Sequence, residues 1–241
     1  MNVITQKVKW KENELSQNTY IVEFENCSVV IDAGISVEKV KELTQKPIKA
    51  VLITHGHFDH ITEIESYAEQ NIPIYAHKNI LNMLNDPYEN ASNLFGENVI
   101  FNINNINFVE NETISINGNQ IKCIHTPGHS ADGMSYLINN NLFSGDTVFS
   151  VAVGRIDLPS STPEDLVDSL KNILSQDFEE MYAGHGRLSN KQEQQNNIKY
   201  WLQILDKPKT LNWFLQLLLI KSWFYKTQTK RRTKKCQKLL E

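Results

Sequence analysis

Three histidines and an aspartate crowd into one short span of this chain, His55-Gly56-His57-Phe58-Asp59-His60. Neutral imidazole and carboxylate are donors that zinc and similar divalent metals accept. Four further stretches carry the same residue types. They are His125-Thr126-Pro127-Gly128-His129-Ser130, Ser144-Gly145-Asp146-Thr147, Ala183-Gly184-His185-Gly186 and Asp32-Ala33-Gly34. A single histidine of this kind is more often a hydrogen-bonded core or surface residue. Five such stretches, each with a His or Asp close to a Gly, point instead to a shared metal site.

The elements around these stretches can bring them together. Residues 50–53 are apolar and rich in β-branched types, which predicts a buried strand ending at the first cluster. Ile61, Ile64 and Ala68 then recur at helical spacing, predicting a helix from Asp59. Short apolar runs also precede the other four stretches. Strand ends are where α/β proteins gather ligand-binding residues. Elsewhere the pattern predicts a meander over 8–10, 18–24 and 28–32, a helix over 37–43, a strand at 73–76 and a short helix near 81–84. Antiparallel strands are predicted from 99 to 124, and a hairpin over 134–138 and 142–144. A helix follows over 163–174 with Thr162 as N-cap, then a strand at 180–183 and a helix over 190–205. Strands precede helices in each of two halves. Two mixed β-sheets packed together, with helices on both outer faces, account for this order.

The motifs THGHFDH, TPGHS, SGDT and AGHG, in this order, resemble those of the metallo-β-lactamase-fold hydrolases. Within that superfamily the chain is most similar to short, single-domain relatives of hydroxyacylglutathione hydrolase (glyoxalase II), over residues 3–205. The resemblance implies an αββα sandwich with two divalent ions at one edge, zinc first, with iron or manganese as alternatives. It implies that His55, His57 and His129 hold the first ion. Asp59, His60 and His185 would hold the second, and Asp146 would bridge both. Two ions about 3.5–4 Å apart share a water, bring its pKa towards neutrality and polarise a carbonyl. A metal-bridging hydroxide would be the nucleophile, with Asp59 and Asp146 as the catalytic carboxylates. Asp32 resembles the family's aspartate that orients a metal-bound histidine, and also reads as a turn residue before Gly34. His125 is expected to be structural, and Cys123 to point into a sheet interface.

The segment Gly154-Arg155-Ile156-Asp157-Leu158-Pro159 resembles GRxDLP of the short glyoxalase II-like proteins, and a related segment of the mono-iron persulfide dioxygenases. Arg155 reads either as the partner of a substrate carboxylate or as an ion pair with Asp157 or Asp146. The complete second set favours a binuclear hydrolase, with a small-molecule acyl thioester as substrate. The alternatives are a persulfide dioxygenase-like enzyme with one iron, and a metal-binding scaffold without turnover.

Charge and composition divide the chain of 241 residues. From Lys207 onward there are ten Lys or Arg against one acid, leaving 14 basic against 27 acidic residues before it. A body that acidic is not expected to hold nucleic acid. A domain over 1–206 is expected, followed by a tail over 207–241, apolar at 211–225 and then basic. Spanning a bilayer takes about 20 apolar residues, and Asn212, Gln216 and Lys221 interrupt this shorter run. Three readings of the tail stay open: a helix packing on the domain or a partner, an interfacial membrane helix, or an abnormal C-terminus from a frameshift. Three widely spaced cysteines, Cys27, Cys123 and Cys236, suggest a reducing compartment. With no apolar leader at the N-terminus, a cytoplasmic location is expected.

Overall fold

Alternation along three neighbouring strands decides how the first sheet faces. In the computed structural model, which describes residues 1–9 and 16–205, these strands are β2 (Ser16–Glu23), β3 (Ser28–Ile31) and β4 (Ile48–Leu52). Tyr20, Val22, Val29, Ile31, Ala50 and Leu52 point one way; Ile21, Val30 and Val51 point the other. Both faces are buried, as expected for strands covered on two sides. With β1 (Asn2–Lys9), β5 (Ile74–Ala76) and β6 (Ile106–Phe108) they form a six-stranded sheet in chain order. The first three strands pair antiparallel, and the last three join parallel. Helices α1 (Val37–Leu43), α2 (Ile64–Glu69) and α3 (Ile80–Asn85) cover its outer face through Val37, Val40, Ile64, Tyr67 and Ile80.

The second sheet contains β7 (Thr113–Ile116), β8 (Asn119–His125), β9 (Met134–Ile138), β10 (Asn141–Gly145), β11 (Glu180–Ala183) and β12 (Ser189–Asn190). Its strands also lie in chain order, and the β10–β11 pair is parallel. Helices α4 (Pro163–Ser175) and α5 (Lys191–Leu205) pack on its outer face through Leu166, Leu170, Ile173, Ile198 and Trp201. Its inner face, with Ile121, Cys123, Tyr136, Ile138 and Phe143, meets the inner face of the first sheet. The result is the αββα sandwich of two mixed sheets, and Cys123 does sit in the interface between them.

Several elements differ from the sequence reading. The helix predicted from Asp59 is only a 3-10 turn, Phe58–His60, and α2 begins at Ile64. The intervening backbone bonds to the end of β3 instead: Ala33 N–H donates to His60 O at 2.8 Å, and Glu63 N–H donates to Ala33 O at 2.8 Å. Residues 99–105 form no strand. Their alternation packs Val99, Phe101 and Ile103 against the helical layer, and Phe101 N–H donates to Leu84 O at 2.9 Å. The strand that follows, β6, is parallel to its neighbour rather than antiparallel. Thr162 precedes α4 as read, but its hydroxyl makes no capping bond. The first strand starts earlier than predicted, at Asn2, and Trp10 lies outside the described residues, as does the whole tail over 207–241. Among the described residues no helix is long and apolar enough to cross a membrane.

Two buried phenols stitch the sheets at one edge. Tyr136 of β9 donates to Ile53 O at 2.7 Å, and Tyr20 of β2 donates to Ala183 O at 2.6 Å. Removing such a donor leaves a buried carbonyl unpaired, which costs about 1–3 kcal/mol. Tyr136→Phe is therefore expected to lower the unfolding free energy by that amount with an unchanged denaturant slope. Wild-type stability in the variant would show that the cross-sheet bond contributes nothing.

Candidate metal centre

Five strand ends converge on the stitched edge. Asp32 follows β3, and the span from His55 to His60 follows β4. His129 lies in the loop after β8, Asp146 follows β10, and His185 lies two residues beyond β11. Backbone bonds between the sheets and within the second fix these loops. Met134 N–H donates to Thr54 O at 2.7 Å, Asn18 N–H donates to Gly184 O at 2.7 Å, and Gly184 N–H donates to Gly145 O at 2.8 Å. Gly184 is required by close approach: a Cβ there would stand 2.2 Å from Asp146 Oδ1 and 2.6 Å from His60 Cε1.

The seven side chains read from the sequence all meet here, in two sets linked by a third group of His55, His60 and Asp146. Candidate donor atoms of His55, His57 and His129 lie within 4.8 Å of one another, as do those of Asp59, His60 and His185. His129 Nε2 is 3.0 Å from His57 Nδ1, and His60 Nε2 is 3.3 Å from His185 Nε2. Asp146 stands between the sets. Its Oδ1 is 3.4 Å from His60 Nε2, and its Oδ2 is 3.3 Å from His185 Nε2 and 3.6 Å from His129 Nε2. Asp59 Oδ2 is 3.4 Å from His185 Nε2. Donors around one tetrahedral ion bound at about 2.0–2.2 Å are separated by about 3.3–3.6 Å. These spacings fit that pattern.

Hydrogen bonds orient four of the five imidazoles. A carbonyl or carboxylate oxygen can only accept, so each ring facing one must donate. Nδ1–H donates to Asp32 Oδ2 from His60 at 2.7 Å, to Arg155 O from His129 at 3.0 Å, and to Ser16 O from His185 at 3.0 Å. His55 Nδ1 lies 3.1 Å from Thr54 Oγ1, whose own proton goes to Asp32 Oδ2 at 2.9 Å, so this ring donates too. Each of the four thus turns Nε2 towards the centre. This is how ligating histidines are held in metal proteins. Buried His55 Nε2 and Asp146 Oδ1 have no hydrogen-bond partner. Unpaired buried polar atoms aimed into a cluster of donors fit bound divalent cations.

The two sets differ electrostatically. Burial and the neighbouring rings His60 and His57 hold His55 well below the ordinary imidazole range. Burial and His129 bring His57 down to about 3, and burial lowers His129. The first set is therefore uncharged. In the second, burial alone would lower His60 and His185, but carboxylates outweigh it. Asp146, Asp32 and Asp59 lift His60 well above its usual value, and Asp146 and Asp59 lift His185 to about 10. Burial would raise Asp59 and Asp146, but their imidazolium neighbours bring Asp59 down to about 2 and Asp146 well below the usual range.

Asp32 lies at a turn and also bonds the His60 ring. It adopts a left-handed φ of 63° as the chain turns, and its carboxylate also accepts Thr54 N–H at 2.7 Å. The guanidinium of Arg155 forms the ion pair with Asp157, at 2.9 and 3.2 Å. His125 is not among the convergent donors. Its ring stacks on His77 at 4.1 Å and 11°, and its Nε2–H donates to Ala131 O at 3.2 Å. Glu110 lies beside it, but no single point is in line with the in-plane lone pairs of two parallel rings, so this trio reads as packing. Sequence reading missed Thr54 and the carbonyls of Ser16 and Arg155. A backbone carbonyl carries no sequence signal, whereas Thr54 abuts His55 and its buried hydroxyl could have been noticed.

The family model described as the metallo-beta-lactamase superfamily matches residues 13–185. The chain belongs to the metallo-beta-lactamase superfamily. This superfamily member is 30% identical over 175 residues to a probable polyketide biosynthesis zinc-dependent hydrolase of Bacillus subtilis, covering 69% of this chain and 71% of that one. It is 29% identical over 208 residues to the hydroxyacylglutathione hydrolase of Francisella philomiragia, covering 84% and 73%. The crystal structure of TTHA1623 in a di-iron-bound form matches with a TM-score of 0.69 and 27% identity, covering 80% of this chain and 98% of that one.

The asymmetry predicts how ions load. At neutral pH the metal-free second set holds protons on His60 and His185, and an entering cation must displace them. Their raised pKa values mean these protons are retained until pH climbs towards about 10, so second-set affinity should rise with pH across that range. The first set, already neutral, should load near pH 7 with little proton release. Zinc titration calorimetry in buffers of differing ionisation enthalpy measures this, and equal proton release for both ions would contradict it.

Proposed function

We propose that this chain hydrolyses a small acyl thioester at a centre of two divalent ions, zinc in the native protein. His55, His57 and His129 hold one ion, Asp59, His60 and His185 hold the other, and Asp146 holds both. The observation that carries this reading is Asp146, whose carboxylate lies 3.3–3.6 Å from His60 and His185 of one set and from His129 of the other. The zinc-dependent relative and the di-iron-bound neighbour support a divalent metal of either kind, and an imidazole-rich donor set suits zinc or iron. The hydroxyacylglutathione hydrolase relative supports the thioester.

When bound, the ions supply a hydroxide nucleophile and polarise the acyl carbonyl. The residues do the rest. Asp146 and Asp59 are the catalytic carboxylates: they offset the cationic charge, and Asp59 lies at the partly exposed rim of the site. The backbone and side-chain anchors of the imidazoles keep the donors from rearranging as charge develops. A C–O bond forms as the acyl C–S bond breaks, and the sulfur leaves as a thiolate that takes up a proton from solvent. No protein nucleophile is called for. Cys27 and Cys123 lie in the core between the sheets, and burial pushes the Cys123 thiol up to about 12. The proposed partner is thus a small molecule, not a nucleic acid.

Elemental analysis of the purified chain should give two ions, and thiol release from S-lactoylglutathione or simpler thioesters should be abolished by chelation. Asp146→Asn keeps the size but not the bridging charge, and should lower kcat by about 10²–10³-fold. Oxygen uptake with glutathione persulfide by an iron-loaded sample, without thioester cleavage, would falsify the hydrolase reading.

Arg155 is proposed to grip a substrate carboxylate. Asp157 engages its Nε and Nη2, and a guanidinium has five donors, so the ion pair aims the group without exhausting it. A contact that persists from ground state to transition state affects KM alone. Arg155→Ala should raise KM for an acidic thioester and leave kcat unchanged. Unaltered kinetics would reduce Arg155 to a structural partner of Asp157.

A further inference from the structure

The loop that carries His129 also reaches the loop that carries His55 and His57. Three residues beyond His129 lies Asp132, 1% exposed. Its Oδ2 accepts the N–H of Gly56 at 2.7 Å. Gly56 is the residue between His55 and His57, and it has no room to shift. A Cβ there would lie 2.4 Å from Met83 Cβ on α3 and 3.1 Å from Asp132 Oδ2. The loop is therefore pressed between a helix and this carboxylate.

The contact extends the seam between the sheets. Met134 N–H donates to Thr54 O, and two residues on from Thr54 and two before Met134 the Asp132 carboxylate takes the N–H of Gly56. A side chain thus supplies the acceptor where backbone pairing has ended. The Asp132 loop is itself anchored. Thr126 N–H donates to Gly133 O at 2.8 Å, and Ala131 O accepts from Asn79 Nδ2 at 3.0 Å and from His125 at 3.2 Å. The His77–His125 stack thereby bears on the centre from outside it. The other Asp132 oxygen, Oδ1, is buried with no hydrogen-bond partner. A buried carboxylate so poorly compensated is costly unless positive charge lies near.

We infer that Asp132 is a positioning residue that locks the His55-Gly56-His57 turn to the His129 loop and so holds the three histidines of the first set in register. This rests on the reading that the first set holds an ion. Asp132 touches no substrate and is no ligand; it acts through the backbone of Gly56. Asn at this position retains an acceptor for that N–H, whereas Ala does not.

Two measurements on the full chain test this. In the metal-stripped protein, the Gly56 amide should be protected from hydrogen exchange in the wild type and in Asp132→Asn, and exposed in Asp132→Ala. On zinc titration, Asp132→Ala should weaken first-set binding by about 10–100-fold, the usual effect of removing a partner that orients ligands. The second set should load as in the wild type, and Asp132→Asn should restore the first. Should Asp132→Ala not fold, Asp132→Ser, whose hydroxyl is too short to reach Gly56, is read the same way. A folded Ala or Ser variant that exposes the Gly56 amide yet binds both ions with wild-type affinity overturns the inference, as does a Gly56 amide that stays protected. A wild-type chain that takes up no zinc overturns the metal centre and this assignment with it; the Gly56 response, read without metal, tells that failure from the others.

Discussion

One carboxylate joins the fold to its site. Asp32 accepts Thr54 N–H and Thr54 Oγ1–H, which fixes the end of β4, and it accepts His60 Nδ1–H, which aims His60 inward. Through the Thr54 hydroxyl it also sets the His55 ring. Burying a charged group is expensive, and three charge-assisted donors are what offset the cost. The arrangement explains why no regular helix follows β4 at once. Asp59 faces His185 and His60 reaches Asp32 from the 3-10 turn at Phe58–His60.

The electrostatic split between the sets follows from where the carboxylates are. Asp59 and Asp146 crowd around His60 and His185, with Asp32 also at His60, whereas His55 and His57 have other imidazoles as their nearest neighbours. Rings surrounded by rings give up their charge when buried, and rings surrounded by carboxylates keep it. One donor set is consequently ready for a cation at neutral pH, and the other exchanges protons for it. The same carboxylates that hold protons in the metal-free chain would neutralise the second cation.

The convergent histidines and aspartates were legible in the sequence because few residue types suit a metal donor. They stand out when several occur beside glycines at strand ends. The sandwich was legible because β3 and β4 carry continuous apolar runs, as strands buried on both faces do. Residues 99–105 alternate, yet form no strand. Alternation reports which side chains are buried, not whether the backbone pairs with a neighbour, and Phe101 is buried against helices. The helix misread at Asp59 has a related cause. Ile61 and Ile64 do face the core, but tertiary bonds to Ala33 take the backbone groups a helix would have used. Asp132 passed unnoticed because a single aspartate in a loop normally faces water. Its burial and its bond to the Gly56 N–H are features of the tertiary structure.

Arg155 illustrates why residue type and position can serve separate ends. Its carbonyl oxygen accepts His129 Nδ1–H, and that contact depends on the path of the chain and not on the side chain. Gly154 makes the path possible, since a Cβ there would come within 2.2 Å of Asp146 O and 2.8 Å of His129 Cβ. The guanidinium, by contrast, is directed outward and tied to Asp157. The segment thus presses its backbone against the donors while it offers a cation at the rim. A change at the Arg155 side chain leaves the His129 anchor in place, so its consequences fall on whatever approaches the rim. A side chain at Gly154 would instead displace Asp146 and His129 together.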